Sequence, residues 1–356
     1  MAQQQTADQA TPQNVDAYID QLDDWKLIPG WKVLAREVPP EPSSAAAPCL
    51  WRYSDVKHQL TLAGELVPAE EAERRVLVLA NPGLDGRPAT TPTLFTDLQL
   101  VLPGEETSTH RHTPTAVRFM IEGEGSYAMT AGEKMSQAFG DLVLGPSWGW
   151  HSHGNPGDDP AIWFDALDIP LVKMLDASFF EPYPGEHHPE TEPYEASLAN
   201  FGNTGLLPSW DRPTNGAASP LLKYQYATAR PALMGLAEDK ASPFDDMILE
   251  YVHPANGGPC TQTMACFLQR LRPGARTRSH RHTSCAVYVV AEGRGRTVID
   301  GEAHDWQAGD VLALPSWRWH AHENASDEDD AILFSVTDMP VLTALGLYRE
   351  EAAAEA

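Results

Sequence analysis

The sequence predicts an all-β protein: two similar barrels or sandwiches arising from an internal duplication, with short flanking helices. Two observations carry that prediction. First, the 356-residue chain repeats itself once. GEETSTHRHT at 104–113 returns as GARTRSHRHT at 274–283, and GDLVLGPSWGWH at 140–151 returns as GDVLALPSWRWH at 309–320. The offsets are 170 and 169 residues, and two long blocks at so constant a spacing mark a duplication. Second, each copy consists of short apolar stretches punctuated by Gly, Pro and Asp, such as Thr115–Ile121, Asp141–Leu144 and Ile162–Leu167. That punctuation suits strands rather than helices.

The elements follow in order. Residues 1–30 read as a polar tail and a helix, because NVDAYIDQLDDWKLI at 14–28 spaces its apolar residues helically. Residues 31–181 form the first barrel. Residues 182–220, rich in Pro, Gly, Asn and Glu, read as a linker, and its His187 and His188 are given no role. Residues 221–356 form the second barrel, and the Leu- and Ala-rich Val341–Ala356 is expected to be a short helix with a frayed tail.

Composition narrows the function classes. With 25 basic against 50 acidic residues the formal charge is −25, so nucleic acid and anionic membranes are poor partners. No apolar run approaches the ~20 residues of a membrane span. The N-terminus lacks the basic and apolar regions of a signal peptide, which points to a cytoplasmic protein. Cys49, Cys260, Cys266 and Cys285 are scattered without a CxxC pair and read as reduced thiols.

Histidines carry the chemistry. On a strand, residues i and i+2 share a face, so His110 and His112 project together while Arg111 points away. A third histidine from a neighbouring strand, His151, completes one face of a coordination sphere. Neutral imidazoles suit Fe, Zn, Cu or Ni. Three protein ligands leave positions open for reactants. A lone HxH is an ordinary core or surface feature. HRH followed by PSWGWH, duplicated, is a metal site.

These segments resemble the cupin superfamily, whose motifs are G-x5-H-x-H-x3,4-E-x6-G and G-x5-P-x-G-x2-H-x3-N. Gly104, His110, His112 and Gly123 match the first; Gly140, Pro146, His151 and Asn155 match the second. Ala116 stands at the Glu position and Trp148 at the second Gly. Loss of the Glu leaves a three-histidine site and argues against the oxalate-decarboxylase type. HRHTPTAVRF, EGEG, PSWGWHSHGN and WFDALDIPLV resemble the bicupin ring-cleaving dioxygenases of gentisate, salicylate and 1-hydroxy-2-naphthoate. LWRYSDVKHQL, AERRVLVLANPGL and LGLYREE extend the likeness across nearly the whole chain. The resemblance implies two double-stranded β-helix (jelly-roll) barrels, a homotetramer, and one Fe(II) per chain in the N-terminal cupin. It also implies cleavage between the carboxyl-bearing and the adjacent hydroxyl-bearing ring carbons, with both atoms of O2 incorporated.

The residues suit that chemistry. An ortho-hydroxy carboxylate can chelate Fe(II) through two open positions and leave a third for O2. Arg118 lies six residues after His112, on the same face if the strand runs unbroken, and Arg is the natural bidentate partner of a carboxylate. By resemblance Gln99 lines the pocket, either Arg74 or Arg75 faces it, His153 is an acid/base group or O2 partner, and Asp165 is the pocket carboxylate. Phe95 and Asp97 share a strand face with Gln99 and are expected to tune ring selectivity, an acid there favouring gentisate over salicylate. Trp148 and Trp163 are candidates for the pocket wall or, more simply, barrel core. The second copy keeps His280, His282 and His320, with His322 matching His153, but has Tyr288 for Arg118 and Ser335 for Asp165. It is expected to be metal-competent and catalytically silent.

Overall fold

The computed structural model describes residues 14–68, 75–185, 187–203, 206, 208 and 218–354. The chain divides into a small unit, Met1–Ser43, and a large one, Ser44–Ala356. The small unit holds helices Val15–Asp24 and Gly30–Glu37. The first is the helix expected at 14–28; Asn14 caps it, accepting from the Ala17 amide at 2.9 Å. The second lies beyond the one helix expected in this region. Pro29 sits at its N-cap, where a missing N–H costs nothing.

In the large unit each repeat contributes one six-stranded and one five-stranded sheet. The first six-stranded sheet runs Lys223–Tyr224, Leu142–Gly145, Ala116–Glu122, Ala161–Leu167, Phe95–Val101, Arg75–Val78. Its five-stranded partner runs Phe180–Pro182, His110–His112, His151–Gly154, Tyr127–Thr130, Glu133–Ser136. The second repeat follows the same plan, and every pairing is antiparallel: Asp165 lies opposite both Asp97 and Arg118, and His110 opposite His151.

The expected boundaries at 31 and 221 need correction. Cys49–Trp51 pairs with Val311–Leu314 of the second barrel, and Lys223–Tyr224 with Leu142–Gly145 of the first. Each edge strand leads into a helix, Tyr53–Leu66 or Tyr226–Met234. Asp310 accepts the Tyr53 amide at 2.9 Å, and Asp141 the Tyr226 amide at 3.0 Å, satisfying donors at both helix starts. The duplicated Gly-Asp is therefore a socket for the other repeat's arm. At Gly140 (φ +76°) and Gly309 (φ +87°) a Cβ would fall within 2.3 Å of the Tyr226 ring and 2.6 Å of the Tyr53 ring. Strands of two and three residues carry too little pattern to be read in advance.

Two further expectations change. The segment after 182 is laced to the first barrel. Glu133 accepts from the amide and hydroxyl of Ser197 at 3.0 and 2.8 Å, and Glu195 takes Lys223 Nζ at 2.9 Å. At the other end, helix Met339–Ala344 gives way to a strand, Glu350–Ala352, that pairs with His280–His282.

Strand alternation sorts the six-stranded sheets into two faces. One face of each packs on the other barrel: Leu98, Leu100, Val117, Phe119 and Phe164 share a buried cluster with Leu268, Val287, Val289, Phe334 and Val336. Phe119 stacks on Phe334 at 4.3 Å between centroids. The opposite face of the first sheet turns inward, toward the histidines. Among the described residues no helix is long and apolar enough to cross a membrane.

Candidate metal centre and adjoining cavity

His110, His112 and His151 converge, their ligand atoms within 4.8 Å of one another. Local backbone aims each ring. His110 Nδ1 meets the Ser108 carbonyl at 3.0 Å, His112 Nδ1 the Pro114 carbonyl at 2.7 Å, and His151 Nδ1 the Gly149 carbonyl at 2.9 Å. A carbonyl only accepts, so each Nδ1 carries the proton and each Nε2 keeps its lone pair. His151 Nε2 is buried with no partner among the described residues. Burial, then Arg118, then the neighbouring imidazoles lower the His151 pKa well below the usual value, keeping it neutral. Converging imidazole lone pairs, with His110 and His151 buried, fit a transition-metal ion, and the donor set suits iron.

A cavity of about 320 Å³ adjoins the triad. His112 and His153 reach it from the five-stranded sheet; Phe95, Asp97, Gln99, Arg118 and Asp165 reach it from the six-stranded sheet. The Arg118 and Asp165 side chains are only 5% and 6% exposed, with Nε 3.0 Å from Oδ1. That N–H does not point at the oxygen, so the contact is an ion pair rather than a formed hydrogen bond, and Arg118 Nη1 has no hydrogen-bond partner among the described residues. Trp163 is fully buried and donates its indole N–H to Asp165 Oδ2 at 2.9 Å. Gln99 Nε2 is a second buried donor without a partner among the described residues. His153 lies with its ring 5.1 Å from Trp163 and 6.2 Å from His151, its amide held by Thr107 Oγ1 at 2.9 Å. Phe179 and Phe180 form the exposed lip, with Phe180 stacked on His110 at 5.4 Å.

Several expectations are refined or corrected. Arg75 does not face the cavity: Nη1 is 2.6 Å from Glu105 and Nε donates to the Val67 carbonyl at 2.9 Å. Val76, opposite Gln99, faces the cavity, so alternation turns Arg75 away. Arg74 lies outside the described residues. The strand does not run unbroken from His112 to Arg118; it ends at His112 and resumes at Ala116 in the other sheet. The turn is pinned by Asp168, which accepts the Thr115 amide at 2.8 Å. Arg118 reaches the cavity from the facing wall.

Trp148 is not in the cavity wall. It adopts the left-handed conformation its motif position requires (φ +62°), and Arg111 lies over its ring at 4.4 Å and over Trp150 at 4.3 Å. That cation–π sandwich offsets the strain of a non-glycine residue there. Gly145 also contributes. A Cβ at Gly145 would stand 2.8 Å from Arg118 Nη1, so this glycine makes room for the guanidinium. The signal was available, since the second repeat has Leu314 there and Tyr288 in place of the arginine. The second triad, His280, His282 and His320, converges as tightly as the first.

Residues 97–169 and 267–337 each match the cupin domain. Gentisate 1,2-dioxygenase 1 of Aquipseudomonas alcaligenes is 39% identical over 334 residues, covering 94% of this chain and 95% of its own. 5-Aminosalicylate 1,2-dioxygenase of a Comamonas species is 38% identical over 344 residues, covering 95% and 90%. The crystal structure of salicylate 1,2-dioxygenase from Pseudoaminobacter salicylatoxidans, in its gentisate adduct, superposes with a TM-score of 0.89 at 32% identity over 99% of this chain and 98% of that one.

Proposed function

Because the chain belongs to the bicupin family of ring-cleaving gentisate and salicylate 1,2-dioxygenases, we propose that it opens gentisate (2,5-dihydroxybenzoate) to maleylpyruvate with both atoms of O2. The break falls between the carboxyl-bearing carbon and its hydroxyl-bearing neighbour. The observation that carries the choice of an aromatic acid is Arg118, a buried cation with a donor to spare beside three converging histidines. A desolvated guanidinium favours an anion, and a ring carboxylate offers a matching fork. Gln99 supplies a second donor to the same end of the substrate. Fe(II) held by His110, His112 and His151 would supply the redox coupling between the electron-rich ring and dioxygen.

The remaining residues orient the ring and handle protons. Trp163 and Asp165 fix the angle at which Arg118 meets the carboxylate. His153 is the group we assign to proton transfer at the substrate hydroxyl. Phe95 packs on the ring, and Asp97 accepts a hydrogen bond from a donor para to the ring hydroxyl. Asp97 suits the 5-amino group of 5-aminosalicylate as well, which makes that acid the second reading. We further propose that the enzyme works as a cytoplasmic homotetramer, a state supported by the family resemblance; sedimentation velocity tests the assembly.

The test is anaerobic Fe(II) loading followed by oxygen uptake with gentisate, 5-aminosalicylate, salicylate and 1-hydroxy-2-naphthoate. Gentisate should turn over fastest, with a ring-opened enol product. Equal rates with salicylate would remove Asp97 from the reading, and no uptake with any of the four would overturn it.

A further inference from the structure

We propose that His280, His282 and His320 retain a second divalent transition-metal ion as a buried structural site that takes no substrate. The donors are arranged for it. Their ligand atoms lie within 4.8 Å of one another, and Nε2 of His280 and His320 is buried without a partner among the described residues. His320 Nδ1 meets the Arg318 carbonyl at 3.0 Å and His282 Nδ1 the Ser284 carbonyl at 2.9 Å. Those protons therefore sit outside the cluster and the lone pairs inside it. Converging lone pairs withdrawn from water are satisfied by a cation.

Two features separate this triad from the first. His280 Nδ1 faces the Glu350 carboxylate at 2.9 Å, where His110 faces a backbone carbonyl. A carboxylate behind a ligating imidazole raises its basicity and fixes its orientation, so it strengthens metal binding. Glu350 arrives on the short strand that pairs with His280–His282, which gives that terminal strand a purpose.

The other feature is the anchoring of the cover, since both triads carry a stacked phenylalanine, Phe180 on His110 and Phe244 on His280. The Phe244 ring lies flat on His280, 4.8 Å between centroids and 9° between planes. Its neighbour Asp245 is tied in, its carbonyl accepting from Gln269 Nε2 at 2.8 Å, and Gln269 is the counterpart of Gln99. The amide that offers a donor to substrate in the first barrel is thus spent on the cover in the second. Tyr288 and Leu314 fill the places of Arg118 and Gly145, so the counterpart of the carboxylate-binding arginine is gone. The metal-binding half of the site persists while its substrate-binding half is closed.

The experiment counts ions on the full chain, stripped with chelator and reloaded anaerobically with Fe(II) or, separately, Zn(II). Wild type should bind about two ions per chain, and His151→Ala and His320→Ala about one each. Equal metal in wild type and His320→Ala, or none in His151→Ala with its fold intact, overturns the proposal. Should His320→Ala fail to fold, His151→Ala alone decides, because only the second triad is then complete. In a chelator chase the second ion should leave at least tenfold more slowly than the first, and Glu350→Gln should accelerate that slow phase about tenfold. An unaltered slow phase removes Glu350 from the site. These counts stand apart from turnover, so failure of the substrate reading leaves them intact.

Discussion

The two barrels carry the same three imidazoles on equivalent strands, yet differ at most positions facing those imidazoles from the opposite sheet. Phe95, Asp97, Arg118, Gly145 and Asp165 of the first become Ala265, Phe267, Tyr288, Leu314 and Ser335 of the second. The triads survive duplication because much of their geometry is local. His112 and His151, like His282 and His320, bond a carbonyl two residues away. The substrate site is assembled from outside the histidine motifs and can be lost without disturbing them. On the proposed assignment, metal binding and substrate binding are separable properties of this fold.

Replacing Arg118 should separate them most sharply. In Arg118→Met, kcat/KM for gentisate should fall roughly a thousandfold, in line with the ~2–5 kcal/mol cost of truncating one partner of a buried charge pair. The thermal midpoint should drop as well, since the substitution breaks the buried ion pair between Arg118 and Asp165. Metal content should hold. Steady-state oxygen uptake with parallel elemental analysis checks all three, and loss of iron together with activity would merge the two properties again.

Asp97→Ala should lower the preference for gentisate over salicylate by roughly 10- to 100-fold, the ~1.5–3 kcal/mol of a hydrogen bond to a charged group. The ratio of kcat/KM for the two acids reads this directly. Gly145→Ala should act more gently, raising KM about fivefold by displacing the guanidinium, with a modest loss of stability because Arg118 is buried and ion-paired with Asp165.

The smallest contrast lies in the paired aspartates that tie the barrels together. Asp168 accepts from Thr263 at 2.6 Å and Asp338 from Thr93 at 2.7 Å. Burial raises both carboxyls above the usual range, Asp338 to about 6, against partial offsets from their hydrogen bonds. A raised carboxyl pKa contributes stability that is fully present below the unfolded value of ~3.9 and is lost as pH rises through the folded one. Asp338→Asn should therefore remove a decline on the order of 2 kcal/mol between about pH 4 and 6. Urea denaturation across that window measures it, and parallel profiles for variant and wild type would contradict the assignment.

Much of this arrangement was legible in the sequence. Duplication and strand punctuation gave the two β-sheet repeats, and alternation along Phe95–Val101 placed Phe95, Asp97 and Gln99 on one face. Arg118 lines the same cavity as His112, but not by the unbroken strand expected, since the chain crosses to the facing sheet before reaching it. The exchanged arms, the inward Val76 in place of Arg75, the room made by Gly145 and the reach of Glu350 were not read. The arms and Glu350 lie on strands of two or three residues, whose sequence does not encode pairing strongly, whereas the facing of Val76 and the room at Gly145 depend on the register and packing of four-residue strands.

The division of labour between the barrels is tested most directly by oxygen uptake on Fe(II)-loaded His151→Ala with gentisate. Its second triad is complete and its first is broken. If the first barrel does the chemistry, this variant consumes no oxygen above background while wild type turns over. Sustained uptake and ring-opened product from His151→Ala would place the reaction in the second barrel and contradict the assignment made here.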